Sequence, residues 1–178
     1  MIDEKALVKY MKIDKGLVGI AAEFAVASEL GRRNVYAQPT FGHLKRTDLL
    51  IMGEKGRLLR IEVKGKQGDQ WPNCKGISNE QSILVLVDFE KKEDTQRPDF
   101  YILTVLDWIE LTKRKLREGK EKNPSGWSDA YINKENALVF PHQCGKSGKP
   151  YIGLGVEPKD ITGFHESWDK IIHLTSGP

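Results

Sequence analysis

The sequence predicts an α/β domain, a central β-sheet covered by helices on both faces, formed by residues 1–178 as a single unit. Three observations predict it. A capped helical stretch rich in small residues, GLVGIAAEFAVASEL, lies near the N-terminus. A β-hairpin follows between Thr47 and Lys66. Then comes Ser82-Ile-Leu-Val-Leu-Val87, a continuous apolar run of strand length, the pattern of a strand buried on both faces. At this chain length one hydrophobic core suffices, and nothing requires a second.

Taken in order, Asp3 is placed to cap a short helix from Glu4 to Met11. Asp14 caps the second helix, Gly16 to Leu30, and Gly31 ends it. At a hundred degrees per residue Glu23 falls with Gly16, Gly19, Ile20, Ala27 and Leu30, the small and apolar side of that helix. Glu29 points away and is expected in solvent. Asn34 to Gln38 reads as a strand stopped by Pro39, and Thr40 to Arg46 as a loop. After the hairpin, a polar loop holds Trp71, Pro72 and Cys74. Trp71 is within reach of a base in principle, but a half-buried loop anchor is the plainer role. Asp99 to Val105 gives another strand, and Asp107 caps a basic helix through Glu118 that Gly119 stops. Trp108, Leu111 and Leu116 are its inward positions. Short strands are expected at Ala137–Phe140 and Tyr151–Val156. A last helix is expected from Ile161 to Ile172, with Phe164, Trp168, Ile171 and Ile172 packing inward.

The hairpin repays closer reading. Glu54-Lys55-Gly56 fits a three-residue loop, a type I turn followed by a left-handed residue, where glycine costs least. Gly53 then faces Arg57, and counting back along the antiparallel pair sets Asp48 opposite Glu62. Because side chains alternate, Asp48, Glu62 and Lys64 share one face, while Leu49, Ile51, Leu59, Ile61 and Val63 share the other. A one-residue slip would bury the charges and expose the aliphatics, so the register is well specified.

Acidic-x-Lys alone carries little weight. It also occurs at Asp3/Lys5, Glu90/Lys92, Glu118/Lys120 and Glu157/Lys159. The Glu62/Lys64 copy differs in ending an apolar strand with an aspartate across the hairpin. Two facing carboxylates repel and call for a cation; the bland alternative is a solvated salt-bridge ladder. Glu23 likewise needs a partner, since a carboxylate on a packing face is costly unless paired or metal-bound. The hairpin cluster is one such partner, and a structural salt bridge to Lys64 or an arginine is the other.

Composition narrows the function classes. No apolar run is long enough to span a bilayer, and MIDEKALVKYMK is not a signal peptide. Cys74 and Cys144 stand far apart without a CxxC partner, which suits a reducing, cytoplasmic setting and argues against a zinc ribbon. His142-x-Cys144 lacks the further ligands a zinc site needs. Cys144-Gly-Lys-Ser-Gly-Lys149 lacks the spacing of a phosphate-binding P-loop. Charge is uneven: residues 1–70 carry 13 Lys/Arg against 9 Asp/Glu, and residues 111–150 carry 9 against 4. That distribution is compatible with a nucleic-acid-facing side and equally with a solvated surface.

A helix with an inward Glu, a strand, a strand opening on Asp, a strand ending Glu-x-Lys, further strands and a basic helix together resemble the PD-(D/E)XK nucleases. This restriction-endonuclease-like superfamily includes Holliday-junction resolvases and many type II restriction endonucleases. The residues that carry the resemblance are Glu23 in GIAAEFAVASEL, Asp48 in RTDLLIM, and Glu62 and Lys64 in RIEVKGKQ. They cover roughly the first 70 residues. Thr47 stands where the motif has proline, a position without a chemical role.

The resemblance implies a restriction-endonuclease-like core, a central mixed β-sheet flanked by helices on both faces. It implies a metal-dependent endonuclease that hydrolyses phosphodiester bonds in DNA with Mg²⁺, for which Mn²⁺ substitutes. A hard cation of this kind favours carboxylate and carbonyl oxygens and keeps several waters. By resemblance, Asp48, Glu62 and the Val63 backbone carbonyl would hold it, and Glu23 would complete the site, through a water or a second ion. Lys64 would orient the attacking water; its flanking carboxylates favour the charged ammonium, so a charge-stabilising role suits it better than that of a base. Lys45, Arg46, Lys66, Gln67, Lys113, Arg114, Lys115 and Arg117 are the candidates for nucleic-acid contacts. Related enzymes pair to cut two strands, so a homodimer is the implied assembly. RNA as the substrate stays open, and so does a catalytically silent nucleic-acid-binding module of the same fold, although such a module has no need of all four side chains.

Overall fold

The computed structural model describes residues 12–40, 46–144 and 148–176. The helix expected at Glu4–Met11 lies outside them. Asp14 caps the first helix, α1 (Lys15–Gly31), its carboxylate accepting from the Gly16 N–H at 2.8 Å. Three strands follow: β1 (Ala37–Pro39), β2 (Leu49–Met52) and β3 (Leu58–Lys66). β1 is shorter than expected and includes Pro39. It is an edge strand, where proline's missing N–H costs no ladder bond, and Asn34 instead turns the chain with φ 59°.

The hairpin forms in the register read from its turn. Glu54–Gly56 makes a single 3₁₀ turn with Gly56 at φ 74°, and the Gly53 N–H donates to the Arg57 carbonyl at 2.7 Å. Met52 faces Leu58 and Leu49 faces Ile61, which continues to Asp48 opposite Glu62.

β4 (Trp71–Cys74), β5 (Ser82–Asp88) and β6 (Asp99–Leu103) come next. The central sheet has the order β1-β2-β3-β5-β6. It is mixed, because β3 and β5 run parallel and the other neighbours antiparallel. The apolar run at β5 divides between two cores, as a strand covered on both faces must. Ile83, Val85 and Val87 join Leu49, Ile51, Leu59, Ile61 and Val63 beneath Ala22, Val26 and Leu30 of α1. Leu84 and Leu86 point to the other side, where Trp108 and Leu111 of α2 (Val105–Lys122) pack.

Several local expectations are corrected. Thr104, not Asp107, caps α2; Asp107 completes a capping box from the third helical position. Gly119 does not end that helix. It makes room for the Trp127 ring, which a Cβ there would meet at 2.3 Å. The segment holding Trp71 is not a loop: β4 pairs with β10 (Leu154–Val156). Trp71 is fully buried and donates to the Val87 carbonyl at 3.1 Å, which excludes stacking on a base.

Between α2 and β10 lie α3 (Pro124–Trp127) and the three-stranded sheet β7 (Tyr131–Ile132), β8 (Leu138–Cys144) and β9 (Pro150–Ile152). The last helix, α4, spans only Asp169–Ser176. Two 3₁₀ turns and an extended His165 precede it, Glu166 adopts φ 54°, and His165 bridges to Tyr101. Trp168 and Ile171 still pack inward, on the α1 side. Helices thus cover both faces of the sheet. Among the described residues none is long and apolar enough to cross a membrane.

Candidate active site

Asp48, just ahead of β2, and Glu62 and Lys64 of β3 stand at the C-terminal half of β3, and Glu23 of α1 lies close enough to feel the charges of Asp48 and Lys64. Asp48 enters β2 with its own N–H donating to the Ile61 carbonyl at 2.8 Å. Its Oδ2 accepts from the Val63 N–H at 2.6 Å. The N–H and C=O of one strand residue point toward the same neighbour, so the Val63 carbonyl is turned to the Asp48 side as well. Glu62, directly opposite, is 3 % exposed. Its Oε1 lies 3.1 Å from Lys64 Nζ, and its buried Oε2 has no hydrogen-bond partner among the described residues. A solvated ladder cannot describe a carboxylate this deeply buried. Lys64 is half-exposed at the mouth of the site.

Glu23 reaches the group because α1 lies directly on β3 at Gly65. A Cβ at Gly65 would stand 2.8 Å from the Val18 carbonyl oxygen and 2.9 Å from Ala22 Cβ. Burial pushes the Glu23 carboxyl above its ordinary range and the Asp48 carboxylate adds to this, while Lys64 opposes it. Glu23 has no ion pair with any described residue, so the structural salt bridge considered from sequence does not form there.

The helical wheel is corrected in one respect. The packing stripe of α1 is Val18, Ala22, Val26, Glu29 and Leu30; Gly16, Gly19 and Ile20 are exposed, and Glu23 sits half-buried at the stripe's flank. Glu29, expected in solvent, is buried in an ion cluster. Arg97 grips both of its oxygens at 2.9 and 2.8 Å, Arg33 binds at 2.6 Å and Arg32 at 3.0 Å. The hydrogen bond from Arg97, aided by Arg33, holds its carboxyl down at about 2 against burial.

Asp48, Glu23, Lys64, Gly65 and Gln67 line an open cleft of about 870 Å³. Among the described residues no three His, Cys, Asp or Glu side chains stand together as a metal-binding group. The oxygen donors present are two carboxylates, one with an unpartnered buried oxygen, and a backbone carbonyl. That donor set fits a hard divalent cation that keeps waters in its remaining positions. Cys74 lies beneath Glu62 and Lys64, with its thiol pushed up to about 12 by burial, and is inert.

The candidate phosphate contacts divide. Gln67 is half-exposed in the cleft, Arg46 is half-exposed nearby, and Lys45 lies outside the described residues. Lys66 is corrected. Strand alternation sets it on the same face as Lys64, but its Nζ is buried against Asp88 at 2.7 Å, Glu90 at 3.1 Å and the Gly68 carbonyl at 2.8 Å. On α2, Lys115 is spent on both Asp160 oxygens at 3.0 Å and is corrected to a structural tie, while Arg114 donates to the Asp160 carbonyl and stays exposed. Lys113 and Arg117 remain exposed beside a shallow pocket that shares no residue with the cleft. Lys12 and Lys15, which also line the cleft, were missed from sequence although they bracket the Asp14 cap. Arg60 was missed as well, although its place two residues before Glu62 puts it on the same strand face.

No family model matches the chain, and no curated protein matches it. Among solved structures, it is similar to the bacterial homing endonuclease I-Ssp6803I at 15 % identity, over 89 % of this chain and 92 % of the other, with a TM-score of 0.43.

Proposed function

We propose that the protein is a metal-dependent endonuclease of the PD-(D/E)XK type that hydrolyses phosphodiester bonds in DNA. The observation that carries this reading is the unpartnered Oε2 of Glu62, buried in the sheet opposite Asp48 and beside Lys64. A buried carboxylate oxygen without a donor is costly, and such a cost is kept where a ligand relieves it. Asp48, Glu62 and the Val63 carbonyl would hold Mg²⁺, with Glu23 reached through a water. Such an ion would supply Lewis-acid polarisation of a phosphoryl oxygen and lower the pKa of a water. Lys64 donates hydrogen bonds to the attacking water and offsets the charge that builds on the phosphoryl oxygens. The new bond joins the water oxygen to phosphorus and the water's proton passes to solvent, while the bond that breaks joins phosphorus to the leaving sugar oxygen, which takes a proton from solvent.

The test incubates the full chain and Mg²⁺ with plasmid, a four-way junction, single-stranded DNA and RNA in parallel. Asp48→Ala and Lys64→Ala run beside it. Cleavage of a DNA substrate by wild type alone supports the proposal. Cleavage of RNA only reassigns the substrate, and identical behaviour of wild type and both variants on every substrate overturns the catalytic reading.

A further inference from the structure

Glu62 stands where the site borders other polar groups. It lines a second, polar pocket of about 140 Å³ together with Arg46, Arg60, Ser78, Asn79 and Ser82. We propose that this pocket is a subsite for a nucleic-acid backbone phosphate, the one adjoining the phosphate attacked at Asp48 and Glu62, with Arg60 as its main contact. The inference rests on the nuclease reading above and adds the direction in which the substrate strand leaves the site.

Strand geometry places the subsite. Arg60 and Glu62 are two residues apart on one face of β3, about 6.6 Å along the strand, a separation comparable to the step between successive phosphates of a nucleic-acid strand. β3 is hydrogen-bonded on both sides, to β2 and to β5, so this spacing is held by rigid backbone. At about 140 Å³ the pocket has room for a phosphate and its waters.

The donors are in place. Arg60 is exposed and has no ion pair or side-chain hydrogen bond with any described residue. Arg46 has only a 3.5 Å contact with the exposed Glu135. Asn79 Oδ1 already accepts from the Gln81 N–H at 2.7 Å, which leaves its amide NH₂ to donate. Ser78 and Ser82 add hydroxyls. The two guanidiniums that line the pocket outnumber Glu62, whose other oxygen Lys64 already pairs. A planar guanidinium that can offer two parallel N–H donors is the side chain best matched to phosphate.

The experiment measures binding of a short fluorescein-labelled DNA duplex by anisotropy, with Ca²⁺ in place of Mg²⁺, over a series of NaCl concentrations. Wild type, Arg60→Ala and Arg60→Lys are compared, and thermal melts establish that each is folded. Arg60→Ala is expected to bind about tenfold more weakly, with the slope of log affinity against log salt shallower by about one. Arg60→Lys should restore the slope and only part of the affinity. A folded Arg60→Ala with wild-type affinity and slope overturns the subsite while leaving the nuclease reading intact. A wild-type chain that neither binds nor cleaves nucleic acid overturns both.

Discussion

Asp48 is fastened to the strand that carries its partners: its Oδ2 accepts from the Val63 N–H at 2.6 Å, between Glu62 and Lys64 in sequence. One bond thereby holds the carboxylate across from Glu62. It also separates the architectural role of Asp48 from its charge. Asn at this position keeps an oxygen that can accept from Val63 and loses the negative charge. Asp48→Asn should therefore melt within a few degrees of wild type and cleave DNA about a thousandfold more slowly, the several kcal/mol of a weakened metal site. Thermal melts and single-turnover cleavage rates check the two halves.

Gly65 is where α1 comes down on β3, and a methyl group there would collide with the Val18 backbone and Ala22. Gly65→Ala should cost about 1–3 kcal/mol of stability. It should also slow cleavage, because the shift moves Glu23 away from Asp48. Urea unfolding measures the first effect. A variant as stable as wild type would mean that α1 does not approach as closely as described.

Lys66 ties β3 to the end of β5 and the residues that follow it. Its ammonium is 2 % exposed and pairs Asp88 and Glu90, so Lys66→Ala leaves buried acid uncompensated and should destabilise the protein by about 3–5 kcal/mol. The salt dependence of DNA binding, measured where the variant is still folded, should not change. A phosphate contact would give the opposite pattern, with unchanged stability and a shallower salt slope.

Glu29 makes stability acid-sensitive. Its carboxyl is held at about 2, below the ordinary 4.5, chiefly by Arg97. A depressed folded value means that its contribution is complete above about 4.5 and drains away as pH falls toward about 2. Glu29→Gln should be less stable than wild type by about 2–3 kcal/mol at pH 7. The gap between the two urea midpoints should narrow on going to pH 3. An equal gap at both pH values would contradict the ion cluster.

What could be read from sequence was what local rules govern. Alternation and the Gly56 turn set the hairpin register, and with it the shared face of Asp48, Glu62 and Lys64. The apolar run of β5 declared its two-sided burial. The larger failures involve partners distant in the chain. Lys66 meets Asp88 through the parallel pairing of β3 with β5, and Glu29 meets Arg97 across 68 residues. Trp71 became part of a strand because β10, far downstream, pairs with it. A helical wheel orders the residues of α1 around its axis but does not say which stripe faces the sheet, so Glu23 was set one step too deep and Glu29 was sent to solvent. Arg60 was legible by the same alternation that gave Lys64, but no motif drew attention to it.

In the proposed site Asp48 and Glu62 together hold a divalent cation beside Lys64. Calorimetric titration of Mn²⁺ into wild type, Glu62→Gln and Lys64→Met tests it without relying on turnover. Wild type and Lys64→Met should both bind the ion, because the oxygen donors are unchanged, while Glu62→Gln should bind it at least about tenfold more weakly. Equal Mn²⁺ affinity in wild type and a folded Glu62→Gln would mean that Glu62 is not a ligand of the ion.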